Sequence, residues 1–241
     1  MTVTAAPPRR PSNKRPLGRR LTTLLGVLLI VCGLSLLGWF AWQYFGTNVV
    51  AKHRATEIKE ATVAQWKDGI EGDAVALLRV ERFGEDFEVP VVEGFDDEAL
   101  AKGIGMYSKS AEPGQIGNFA IAGHRVTHGE PFRDFLKLRK GDRVEVETRT
   151  KVYIYELEND GDKITVDFTV SWPLWKVPSP KSKGEPPEVA KLTMLTCSEL
   201  FHTRNRNVVI GDLVETIDKA TTAPPTDREA DPTPVANETT P

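Results

Sequence analysis

The stretch Arg143-Val-Glu-Val-Glu-Thr148, Lys151-Val-Tyr-Ile-Tyr-Glu-Leu-Glu158, Asn159-Asp-Gly-Asp162, Lys163-Ile-Thr-Val-Asp-Phe-Thr-Val170 decides the fold class. Its apolar and polar residues alternate with period two, its runs are rich in β-branched and aromatic residues, and Asn-Asp-Gly-Asp is turn chemistry. Outward from it, similar runs lie at Ala74–Val80, Phe87–Val92, Asn118–Ala122, Lys191–Thr196 and Asn207–Glu215. Eight short strands with little helix between them predict an all-β, closed or nearly closed eight-stranded barrel. Pro131–Leu138 is the candidate for a short helical insertion, with Phe132, Phe135 and Leu136 able to turn inward. The segment Trp172–Val189 holds five prolines and two tryptophans, which rules out a strand and leaves a long loop.

The barrel occupies 74–216 of the 241 residues. Before it, Leu21–Phe45 carries no charge and is long enough to cross a bilayer, with Trp39, Trp42 and Tyr44 gathered at its end. Arg9, Arg10, Lys14, Arg15, Arg19 and Arg20 precede it with no acidic residue among them. The positive-inside rule then puts residues 1–20 in the cytoplasm and the barrel outside the cell. An apolar core longer than a signal peptide's, with no small-residue cleavage site just downstream, reads as an uncleaved, single-pass signal-anchor. Between the two, 46–73 has Ile58, Thr62, Trp66 and Ile70 four apart and predicts a helical stalk. The end, 217–241, is rich in Thr and Pro and predicts a disordered tail, in which the Asn237-Glu-Thr triplet carries no weight. A formal net charge of −3 gives no sign of a nucleic-acid partner.

Cys197 ends an apolar strand, whereas Cys32 falls inside the predicted span, so the two cannot pair. A lone thiol in an exported domain suggests a chemical use, although a buried apolar cysteine would read the same from position alone. Two further constellations accompany it: Asn118-Phe-Ala-Ile-Ala-Gly-His124-Arg, a strand running into a Gly-His turn, and Arg204-Asn-Arg206-Asn-Val-Val-Ile, a basic pair opening the last strand. Thiol, imidazole and guanidinium are the groups that nucleophilic attack on an amide, protonation of its amine and stabilisation of its oxyanion require. A metal site from His124, His128, Cys197 and His202 lacks any pair at zinc-ligand spacing, so neither metal nor cofactor is expected.

These segments resemble the signature of sortases, membrane-anchored cysteine transpeptidases of Gram-positive bacteria: a His after a strand, Thr193-Met-Leu-Thr-Cys197, and Arg206 opening the next strand. Pro90-Val-Val-Glu-Gly, Glu112-Pro-Gly-Gln-Ile-Gly-Asn-Phe-Ala, His124-Arg-Val-Thr-His-Gly-Glu-Pro-Phe and Leu138-Arg-Lys-Gly-Asp are similar to the class E members of actinobacteria. The resemblance implies that Cys197 attacks a sorting signal between Thr and Gly to form a thioester. It further implies that His124 exchanges protons with the amines and that Arg206, with Arg204 as a nearby rival, holds substrate and oxyanion. Secreted proteins bearing the signal and a peptidoglycan-precursor amine are the implied partners, with Trp172–Val189 shaping the substrate groove. Class E members often carry Tyr where this chain has His128, a candidate substrate-binding residue, so the choice between LAxTG and LPxTG signals stays open. Pilin polymerisation, hydrolytic release of peptides, and a non-catalytic anchored barrel that binds the wall are the alternatives.

Overall fold

The computed structural model describes residues 17–198 and 204–220. His202, the basic residues Arg9 to Arg15 and the tail from 221 onward, with Asn237, lie outside the described residues. The chain forms two units, 1–44 and 45–241.

The first unit holds helix α1, Leu17–Ala41. Its stretch Arg20–Ala41 has a mean hydropathy of 2.4 and none of that window is buried, so it is long and apolar enough to cross a membrane. Leu21, Leu24, Leu29 and Leu37 each stand more than 60% exposed, which suits a solvent of hydrocarbon rather than water.

The second unit begins with α2, Thr47–Lys67. The helix expected there is present, but it does not stand free as a stalk. Ala51, Thr62 and Trp66 are buried, the Thr62 hydroxyl accepts the Ala74 N–H at 3.1 Å, and α2 packs on the second strand of the barrel. Of the four-apart set, Ile70 lies beyond the helix and stays exposed.

The strands are β1 Ala76–Val80, β2 Glu88–Glu93, β3 Ile104–Met106, β4 Gly117–Ala122, β5 Arg143–Glu147, β6 Lys151–Leu157, β7 Ile164–Asp167, β8 Ala190–Cys197 and β9 Asn205–Asp218. A one-turn helix α3, Asp97–Leu100, is capped by the Asp96 carboxylate on the Ala99 N–H at 2.8 Å. Hydrogen bonding runs β6-β5-β1-β2-β3-β4-β8-β9, and β6 pairs with the far half of β9 to close an eight-stranded barrel. Pairs β2–β3 and β4–β8 are parallel, and the remaining ladders are antiparallel.

The expected number of barrel strands is met with one exchange of members. β3 was not foreseen, because its three residues, Ile104-Gly-Met106, are too few to show a period. β7 was foreseen as a wall strand, yet it pairs only with Asn205–Val208 of β9, outside the closed circuit. It also ends at Asp167, whose carboxylate accepts the Thr169 N–H at 3.0 Å and the Thr169 hydroxyl at 2.7 Å and so turns the chain.

At the other end, β9 runs through Ile217 and Asp218, past the expected boundary at 216. Lys219 follows it, stacking its ammonium 4.7 Å from the Trp66 ring and donating to the Thr148 carbonyl at 3.0 Å. The insertion at Pro131–Leu138 shrinks to a single 3₁₀ turn, Phe135–Lys137. Phe132 and Phe135 are fully buried as expected, joining Leu78, Phe119, Tyr155 and Met194 in the core.

Candidate active site

Parallel pairing of β4 with β8 and antiparallel pairing of β8 with β9 bring three strand ends together. Cys197, the last residue of β8, is directly opposite Arg206 of β9. Residues so opposed project to the same face of the sheet, with Cβ atoms about 4.5–5.5 Å apart. On the other flank of β8, Ala122 is level with Leu195, and the chain continues through Gly123 to His124. Two bonds hold that continuation beside the end of β8: the Gly123 N–H donates to the Leu195 carbonyl at 3.2 Å, and the Thr196 hydroxyl donates to the Gly123 carbonyl at 2.9 Å. His124 is thereby led to the rim that carries Cys197.

His124 is half-buried, and its Nε2 is shielded from solvent without a hydrogen-bond partner among the described residues. Burial pulls its pKa from 6.5 down to about 4; the His128 and Arg206 charges act in the same direction and Asp97 opposes them. At neutral pH the ring is therefore neutral and able to accept a proton. The His128 ring stacks on it, with centroids 4.6 Å apart and planes 27° from parallel. His128 also lines a cavity of about 390 Å³ between α2 and the barrel.

The two arginines are unlike in their surroundings. Arg204 precedes β9, is exposed, pairs with Asp167 at 3.1 Å and lies 5.3 Å from the Phe168 ring centre. Arg206 is half-buried within the strand, and its Nη1 donates to the Asn205 carbonyl at 2.9 Å. Cys197 is half-buried as well, neither sealed in the core nor fully exposed, and Cys32 lies on α1.

Several supporting residues escaped the sequence reading. Thr196 and Asn207, a directly opposed pair, are buried beside Cys197 and Arg206. Arg125 is buried next to His124. Asn118, the second residue of β4 and six residues before His124, is the anchor of the proline-rich loop: its amide donates to the Pro173 and Trp175 carbonyls at 2.8 and 2.9 Å while its oxygen accepts the Thr193 hydroxyl at 2.8 Å. A polar residue in an otherwise apolar strand was the available signal. Asn118→Ala would leave those groups without partners. It is expected to lower the unfolding free energy of the barrel by about 2 kcal/mol in a urea titration, the scale of buried groups left unsatisfied. A change within about 0.5 kcal/mol, typical of surface sites, would show that water replaces the amide.

A thiol and a guanidinium opposed across one ladder, with an imidazole led to the same rim, define a class: closed β-barrels that gather a cysteine, a histidine and an arginine at one end. The model of the sortase domain matches residues 78–214. Sortase SrtE1 of Streptomyces coelicolor is 33% identical over 205 residues, covering 79% of this chain and 56% of that protein. Sortase SrtE2 of the same organism is 28% identical, covering 86% and 87% of the two chains. The structure of sortase E from Streptomyces avermitilis is 36% identical, with a TM-score of 0.54 over 61% of this chain and 91% of that one. The chain belongs to the sortase family, and within it is similar to the class E sortases of actinobacteria. It spans little more than half the length of SrtE1.

Proposed function

We propose that this protein is a membrane-anchored cysteine transpeptidase that cleaves a C-terminal sorting signal between Thr and Gly and transfers the new acyl end to an amine of the peptidoglycan precursor. The observation that carries this reading is the direct opposition of Cys197 and Arg206 across β8 and β9, with His124 tied to the same strand end through Thr196.

The chemistry follows from the groups. The Cys197 sulfur attacks the Thr carbonyl while its proton passes to the neutral His124 imidazole. The Arg206 guanidinium takes up the negative charge of the carbonyl oxygen, a service effective in a site partly closed to water. As the tetrahedral adduct collapses, the C–N bond breaks and His124 returns the proton to the departing Gly amine, leaving a thioester on Cys197. An incoming amine reverses these roles: His124 removes its proton, the new amide forms, and the thiol is released. The engagement of Arg204 by Asp167 and Phe168 supports assigning the oxyanion to Arg206.

Incubating the protein with LAxTG and LPxTG peptides, with and without an added amine, tests the reading. Transpeptidation predicts that the amine is incorporated at the Thr carboxyl. Hydrolysed peptide alone in the presence of amine would make it a protease, and no cleavage would leave a binding barrel.

His128 is placed by this reading beside the substrate, against His124. His128→Tyr is expected to raise the ratio of kcat/KM for LAxTG over LPxTG peptides, with little change in the alkylation rate of Cys197. An unchanged ratio would remove His128 from the substrate site.

For localisation, the basic N-terminal segment ahead of Arg20–Ala41 supports a cytoplasmic N-terminus and an extracellular barrel. Protease added to cells stripped of their wall should digest the barrel and spare the segment before α1. A mature chain beginning just after residue 46 would instead show a cleaved signal.

A further inference from the structure

Asn48, in the first turn of α2, is joined to the loop that follows His124 by both ends of its side-chain amide. Its Nδ2 donates to the Glu130 carboxylate and, at 3.4 Å, to the Val126 carbonyl, while its Oδ1 accepts the Gly129 N–H at 3.0 Å. The segment so held is left-handed at three successive residues, with φ of 52° at His128, 85° at Gly129 and 54° at Glu130. Glycine adopts that region freely, but His and Glu do so only when their surroundings impose it. α2 also closes over the turn: a Cβ on Gly129 would stand 3.6 Å from the Ala51 side chain and the Lys52 backbone. One consequence of the turn is the stacking of His128 on His124 at 4.6 Å.

We propose that Asn48 is a positioning residue for the reaction: by clamping 126–130 from α2 it holds His128 against His124 and so fixes the imidazole at the rim. The proposal deepens the reading of His124 as the proton-transfer group and rests on it. An amide suits the task because the loop offers one donor, Gly129 N–H, and two acceptors, Val126 C=O and Glu130. Aspartate could accept from Gly129 but would set a second carboxylate against Glu130, and leucine of similar size could do neither. The charged and titratable groups acting on His124 are His128 from the loop, Asp97 from α3 and Arg206 from β9.

A merely structural contact between α2 and the barrel is the rival account, and Thr62→Val supplies its control, since it removes another hydrogen bond of α2, the one that the Thr62 hydroxyl accepts from the Ala74 N–H. The experiment uses the full chain in nanodiscs. It follows transpeptidation kinetics and the NMR titration of the His124 ring in wild type, Asn48→Leu, Asn48→Asp, Asn48→Asp with Glu130→Gln, and Thr62→Val. Asn48→Leu is expected to lower kcat about tenfold with KM for the signal peptide within about twofold, the mark of a misplaced catalytic group. The His124 titration should move up toward the ordinary imidazole range as the ring loosens. Asn48→Asp should behave similarly, and adding Glu130→Gln, which restores a donor facing the new carboxylate, should return kcat to within about twofold of wild type. Thr62→Val should lower the melting temperature without moving kcat or the titration. Unchanged kcat and titration in Asn48→Leu, or equal changes in Thr62→Val, would overturn the proposal. If wild type itself transferred no signal, the proposed activity would fall, while the His124 titration would still decide whether the clamp exists.

Discussion

Cys197→Ala is expected to abolish cleavage of a sorting-signal peptide while leaving the barrel folded. Cys197 lies at the end of β8, half-buried and outside the apolar core that Leu192 and Met194 of the same strand help to build. Removing its sulfur therefore costs little packing, and the melting temperature should stay close to that of wild type. The rate should fall on the order of 10⁵-fold or more, as when the nucleophile of a covalent mechanism is lost. A structural thiol would give the opposite pattern: a destabilised barrel with its activity, once folded, largely intact.

His124→Ala and Arg206→Ala are the next most damaging changes expected. Arg206 is the positive group opposite the thiol, and loss of an oxyanion stabiliser typically costs ~10²–10³ in rate. Arg204→Ala should cost less than about threefold, since its exposed pair with Asp167 is of a kind worth little even to stability. If Arg204→Ala proved the more harmful, the assignment of the two arginines would be reversed. Loss of proton transfer at His124 should cost ~10²–10⁴. The pH profile adds a sharper readout. A base that must be neutral to act fails as it becomes protonated, and burial has moved that event in His124 from 6.5 down to about 4. The acid limb of kcat/KM should therefore lie well below 6.5. An acid limb at or above 6.5 would mean that the imidazole titrates as if in water.

The sequence carried the barrel clearly wherever a strand was long enough to show alternation. Lys151–Leu157 and Ala190–Cys197 fall within a residue of their expected ends because their periodicity is strong. Ile104–Met106 was invisible because three residues hold no period, and its place in the wall comes from parallel pairing with β2 across α3. Lys163–Val170 looked like a full strand because local alternation cannot tell a wall strand from a ribbon paired at one edge. The candidate site was legible as three separate motifs, since Cys, His and Arg at strand ends are visible one at a time. Their convergence depends on β4 and β8 being parallel neighbours, a contact between residues far apart in sequence. The grip of α2 was illegible for the same reason. Asn48 and Gly129 lie 81 residues apart, and nothing in an exposed-looking Asn announces that both ends of its amide are engaged.

The central claim, a thioester on Cys197, is tested most directly by intact-protein mass spectrometry after brief mixing of the full chain with an LAxTG or LPxTG peptide and no added amine. The account predicts a protein heavier by the peptide up to its Thr residue, with the adduct mapped to Cys197, discharged by an added amine and absent in Cys197→Ala. Cleavage without any adduct, or an adduct that persists in Cys197→Ala, would contradict it.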